Sequence, residues 1–223
     1  MTLLDNRNLN LKIYFYIRDE IINNHLKPGS RIDYNKLATE LGVSKTPVRD
    51  ALQRLHQDGL IEVQSRSGTY VSTPKEKDVE EIFDVRKALE RQAVSLAIRH
   101  LSKETLNVLY DETIVAESEI DRGNFQPFFQ ADRKFHKTLI NHSNSSRLIK
   151  IMESLEVQIM WIGVIIAYHS ERPRLANAQH QQIISALLDA NTPLAQDLME
   201  EHIESIKQMT LIDFKNNSEI NQY

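Results

Sequence analysis

The chain reads as mainly α, with an N-terminal winged helix-turn-helix carrying a small β-wing and a C-terminal all-α bundle of six helices. Three observations predict this. Asp33 to Arg66 has the layout of a helix, a tight turn, a second helix and a two-stranded hairpin. From Asp78 onward, apolar residues recur at helical spacing without a convincing strand pattern. The charge also changes sign: residues 1–75 hold 11 basic and 8 acidic side chains, net +3, and the remainder holds 16 and 23, net −7. The shift after Pro74 predicts one domain at 1–75 and another at 76–223.

An amphipathic helix through Ile13, Ile17 and Ile21 comes first, followed by the turn Leu26-Lys27-Pro28-Gly29. Asp33 is a suitable N-cap for a short helix with Leu37, Ala38 and Leu41 on one face. Gly42, free to adopt a left-handed conformation, ends it, and Val43 follows as an apolar plug. The Ser44 hydroxyl is expected to cap the next helix, whose first turn tolerates Pro47 because no backbone donor is needed there. Val48, Ala51, Leu52 and Leu55 fall at i, i+3, i+4 and i+7 and turn inward, leaving Lys45, Thr46, Arg49, Asp50 and Gln53 outside. After Gly59, Leu60 to Val63 and Thr69 to Val71 are strand-like, and Ser65-Arg66-Ser67-Gly68 has the composition of a hairpin tip.

This arrangement suits double-stranded DNA. The second helix of a helix-turn-helix enters the major groove N-terminus first, so Ser44, Lys45, Thr46 and Arg49 are candidates for contact with bases or phosphates. Arg66 and Gly68 of the wing are candidates for the neighbouring minor groove or backbone. The plainer alternative is a helical hairpin with a solvated charged face.

Leu37-Ala38, the run Leu41-Gly42-Val43-Ser44-Lys45-Thr46-Pro47-Val48-Arg49, then Leu52, Leu55, Gly59-Leu60 and Arg66-Ser67-Gly68-Thr69 resemble the GntR family of bacterial transcription regulators. The resemblance covers the whole N-terminal domain. It departs from the family at Lys45, where arginine is more common; lysine keeps the charge and loses the bidentate fork, which favours a phosphate over a guanine as its partner. The resemblance implies a homodimer reading an inverted repeat, because one module covers only a few base pairs.

The absence of cysteine rules out disulfides and thiolate metal sites and suits a reducing compartment. No signal peptide is visible, and the longest apolar run, Ile159 to Tyr168, is too short to cross a bilayer and reads as the buried side of a core helix. A cytoplasmic protein with no membrane partner is expected.

In the second domain, breaks near Leu101-Ser102, Gly123-Asn124, His142 to Ser146, Ser170 to Pro173 and Asn191 to Pro193 delimit six helices. Ser102 with Thr105, and Thr192 with Pro193, are helix starts; Gly123 is a stop. Asp132 and His136 are one turn apart on one helix face, the spacing by which a helix offers two ligands to one metal. His180, among Ile183, Ile184 and Leu187, and His202, among Leu198, Ile203 and Ile206, are expected to point inward on two later helices. Spacing alone leaves open that each is a satisfied core histidine.

The segment from Asp78 resembles the FCD ligand-sensing domain of the FadR branch, with Arg86-Lys87-Ala88-Leu89-Glu90 matching its opening helix. Asp132, Phe135-His136, His180 and His202 match its metal-binding pattern, and Asn144 matches the turn after the Phe135-His136 helix. The resemblance therefore implies a divalent ion, zinc or nickel before manganese or cobalt, on Asp132, His136, His180 and His202. An octahedral ion would keep positions open for water or a small carboxylate effector, and Arg86 is the second handle for that carboxylate; its alternative is a surface i, i+4 pair with Glu90. A fatty acid fits less well, because the acyl-binding members of this branch lack the metal site. The expected function is a transcription regulator, a repressor before an activator, tuned by an organic acid. A metal-dependent enzyme using the same four residues remains the alternative, though no paired general base accompanies them.

Overall fold

The computed structural model describes the backbone of residues 3–65, 67–163 and 171–220, and the side chains of residues 9–65, 67–163 and 172–216. Contacts divide the chain into two compact units: Met1–Lys75 with Glu156–Ile165, and Glu76–Leu155 with Ile166–Tyr223.

The first unit opens with α1 (Leu3–Ile22), which buries Ile13, Tyr14, Ile17 and Ile21. A two-residue strand, β1 (Arg31–Ile32), precedes α2 (Tyr34–Glu40). The Asp33 carboxylate caps α2 by accepting from the amides of Lys36 and Asn35, which hold its pKa below the usual carboxylate range. Gly42 sits at φ +64, the left-handed turn between α2 and α3 (Lys45–Gln57). Val48, Ala51, Leu52 and Leu55 are buried, so the apolar stripe of α3 faces the core as its spacing predicts. Ser44 does occupy the N-cap position, but its side chain makes no capping hydrogen bond, contrary to the sequence expectation.

The wing consists of β2 (Ile61–Gln64) and β3 (Gly68–Val71), paired antiparallel with Glu62 opposite Tyr70 and Val63 opposite Thr69. The sheet has a third member that the sequence did not reveal: β1 pairs with the other edge of β3, giving the order β1-β3-β2.

Six helices make up the second unit's described residues: α4 (Glu76–Ala97), α5 (Lys103–Asp121), α6 (Gln126–His142), α7 (Ser146–Gly163), α8 (Glu171–Leu188) and α9 (Thr192–Ile220), the later turns of α7 grouping with the first unit. Ser102 caps α5 through the Thr105 amide, as its spacing predicts. The last part of the Ile159 to Tyr168 run lies outside the described residues, and among those described no helix is long and apolar enough to cross a membrane. Phe128 and Ala131 of α6 pack with Ala116 and Ile120 of α5 and Ala176 of α8. Lys87 and Arg91 on one side of α4 pair with Glu204 and Glu200 of α9, each at 2.7 Å. These packings bring the inner faces of α4, α6, α8 and α9 together.

Candidate functional site

The outer face of α3 exposes Lys45, Thr46, Arg49, Asp50 and Gln53, with exposed Ser44 at its start. The Asn10 amide donates to Asp50 at 2.9 Å, and the Arg49 guanidinium lies 6.0 Å from the Tyr34 ring centroid. Two cations thus remain within the first two turns, where the unpaired amides and the helix dipole also favour an anion. In the wing, Gly68 has φ +143, and a Cβ there would come within 3.1 Å of Arg31 Nε. Its place is therefore set by backbone and space. Arg66 lies outside the described residues.

The second candidate site lies inside the bundle. Its members come from four helices: Arg86 and Glu90 from α4, Asp132 and His136 from α6, His180 from α8 and His202 from α9. His180 Nε2 is 3.2 Å from His202 Nε2, which is 3.4 Å from His136 Nε2. Asp132 Oδ1 lies 3.7 Å from His180 Nε2 and 3.8 Å from His136 Nε2. The four residues singled out in the sequence do converge. The three histidines are buried, whereas the Asp132 side chain is 34 % exposed.

The hydrogen bonds around the cluster fix where two of its protons lie. Gln179 Nε2 donates to Ser205 Oγ at 3.3 Å, and that hydroxyl donates to the Glu201 carbonyl at 2.8 Å. Gln179 Oε1 is left to accept the His202 Nδ1–H at 2.9 Å. Glu90 Oε2 accepts the His136 Nδ1–H, and Glu90 Oε1 accepts the Arg86 Nε–H at 2.6 Å. In the neutral forms of His136 and His202, both Nε2 atoms therefore carry lone pairs directed at the cluster's centre. His180 Nδ1 is buried without a hydrogen-bond partner among the described residues.

Electrostatics act in the same direction. Burial, reinforced by the charges of His136 and Arg86, holds the His180 pKa well below the usual histidine range. Burial does the same for His202, with His180, His136 and Arg86 adding to it against the opposing charge of Glu90. For Glu90, burial is the largest influence and pushes the pKa up, but His136 and Arg86 together outweigh it and keep the carboxylate ionised. Neutral imidazoles are what a metal requires.

Two nitrogens on one tetrahedral zinc ion stand about 3.3 Å apart, given Zn–N bonds of about 2.0–2.1 Å. The observed Nε2 separations of 3.2 and 3.4 Å match that spacing, and the three ligand atoms all lie within 4.8 Å of one another. The donor set fits a borderline divalent cation. Glu90 and Gln179 were missed as members of the site: an Arg86–Glu90 pair at i, i+4 looks like a surface feature, yet Arg86 is 8 % and Glu90 1 % exposed. The local hints were Gln179 next to His180 and a glutamate on the face of α4 that also carries Ile82, Phe83, Ala93 and Val94.

Residues 81–205 match the FCD domain, and residues 9–71 match the bacterial regulatory proteins of the gntR family. The chain belongs to the GntR family, in the group that carries an FCD domain. It is similar to the helix-turn-helix transcriptional regulator YdhC of Bacillus subtilis, at 28 % identity over 86 % of each chain. It is also 24 % identical to the transcriptional repressor RspR of Escherichia coli, over 90 % of this chain and 88 % of that one. Among solved structures, E. coli McbR/YncC shares the fold with a TM-score of 0.74 at 24 % identity, covering 91 % of this chain and 96 % of the other. This GntR protein is a DNA-binding transcription regulator and not an enzyme.

Proposed function

We propose that this GntR regulator is a FadR-like repressor that binds an inverted-repeat operator as a cytoplasmic homodimer. We further propose that a small organic acid, bound beside a divalent ion on Asp132, His136, His180 and His202, weakens its hold on that operator. The observation that carries the sensing half is the convergence of three histidine Nε2 atoms, from α6, α8 and α9, at the spacing of ligands on one ion. Zinc or nickel suits three imidazoles and one carboxylate better than manganese or cobalt. A bound ion would supply a Lewis-acid point for a carboxylate oxygen. Arg86, whose Nε is engaged by Glu90, would present the remainder of its guanidinium to the same acid.

Ser44, Lys45, Thr46 and Arg49 would contact the major groove or its phosphates, with Arg66 and the backbone at Gly68 on the wing side. Lys45 would meet a phosphate, as a single charge on a flexible stem does well. Repression is supported by the name of the similar E. coli protein, RspR. Effector and operator must then weaken each other by the same factor, typically about 5–150-fold.

The test is selection of genomic fragments by zinc-loaded protein at physiological salt, with sequencing of what is retained. An enriched inverted repeat is expected. Retention independent of sequence would leave only the phosphate-backbone attraction and contradict an operator-specific regulator.

A further inference from the structure

The two ring nitrogens of His136 face different partners. Nε2 looks toward His202 Nε2 at 3.4 Å, and Nδ1 toward Glu90 Oε2. The second Glu90 oxygen is taken by the Arg86 Nε–H at 2.6 Å, and all three side chains are buried. A neutral imidazole carries one ring proton, and only the nitrogen without it has a lone pair for a metal. An ionised carboxylate is an acceptor only, so it holds that proton on Nδ1.

We propose that Glu90 is a positioning residue of the metal centre: it selects the His136 tautomer whose Nε2 binds the ion, and Arg86 decides which atom of residue 90 is left for His136. This rests on the metal reading given above. It makes an unusual demand on an almost isosteric change. In Glu90→Gln, the Arg86 Nε–H would still require the one carbonyl oxygen, so the amide NH2 would face His136 Nδ1. That nitrogen would have to accept, and the ring proton would move to Nε2, the atom needed by the ion. Replacing Arg86 as well would free the amide to turn its oxygen toward Nδ1–H and return the lone pair to Nε2.

The experiment uses the full chain, stripped of metal with a chelator and titrated with Zn2+ against a chromophoric competitor. Long-range 1H–15N spectra of the histidine rings report the tautomers of the metal-free protein. For the wild type, His136 is expected as the Nδ1–H form. Glu90→Gln should lose about 10–100-fold in zinc affinity, the usual cost of an outer-shell partner, and show His136 as the Nε2–H form. Arg86→Leu/Glu90→Gln should regain the Nδ1–H form and most of the lost affinity. Zinc affinity of Glu90→Gln within about twofold of wild type would overturn the inference and leave the metal reading standing. Equal loss in both variants with the Nδ1–H form retained would assign Glu90 a packing role and overturn it too. A wild type that takes up no zinc would overturn the metal reading and this inference with it.

Discussion

Asp132 and His180, on different helices, meet with Oδ1 3.7 Å from Nε2, and the same oxygen stands 3.8 Å from His136 Nε2. Asp132 thus faces two of the imidazoles at once, and its side chain is 34 % exposed whereas the three histidines are buried. Asp132→Ala should lower zinc affinity by at least the roughly 10–100-fold typical of losing an outer-shell partner, since a direct ligand contributes more. Competitive zinc titration checks this, and an unchanged affinity would remove Asp132 from the ligand set.

Arg49 projects from an exposed turn of α3, one turn beyond Lys45. Arg49→Ala should weaken binding to the selected operator by about 1–3 kcal/mol, roughly 5–150-fold, if it reads a base. Its cation–ring contact with Tyr34 is long at 6.0 Å, so thermal stability should change little. Fluorescence anisotropy against specific and scrambled duplexes separates the cases. Equal weakening on both would make Arg49 a phosphate contact.

In the DNA-reading unit, the Tyr14 hydroxyl donates to Asp58 Oδ2 at 2.6 Å, and burial, helped by Asp58, pushes the Tyr14 pKa up to about 12. Tyr14→Phe keeps the buried ring and removes the bond to a charged acceptor, which should cost about 1.5–3 kcal/mol. Because the folded pKa is raised from 10.0, this stability is fully present below about pH 10 and is lost between pH 10 and 12. Denaturant titrations of the two proteins should therefore differ at neutral pH and converge above the folded pKa.

His180 and His202, both held well below the usual histidine pKa, make the opposite linkage. In metal-free protein, the unfolded chain takes up protons on these rings below about pH 6.5 and the folded chain does not. The stability from keeping them neutral is complete above that pH and declines as the pH falls through it. Two such protons steepen the decline by up to ~2.7 kcal/mol per pH unit. Denaturation midpoints of chelator-treated wild type should fall faster with acid than those of His180→Leu/His202→Leu; parallel curves would mean that the rings are protonated in the fold.

Features fixed by a few neighbouring residues were legible in the sequence. The Asp33 cap, the Gly42 turn and the Val48-Ala51-Leu52-Leu55 stripe each depend on one helix and its ends, and each stands as spacing implied. The inward histidines could be read from apolar neighbours along their own helices, but their meeting needed the family resemblance, because no local rule relates α6 to α8 and α9. What escaped notice depends on tertiary partners. β1 has only two residues and no period of its own; it is a strand because β3 offers it a backbone edge, with Arg31 opposite Tyr70. Ser44 has the right residue type for a cap, yet its hydroxyl leaves the helix amides alone. Glu90 looked like half of a surface pair, and only the packing of α4 against α6 and α9 makes it a buried anchor for His136.

Asp132, His136, His180 and His202 are proposed to hold one ion between them. Metal content of protein purified without added metal, measured by plasma mass spectrometry beside a His180→Ala/His202→Ala variant that remains folded by circular dichroism, tests it most directly. About one divalent ion per chain is expected in the wild type and essentially none in the variant. Equal content in the two proteins would contradict it.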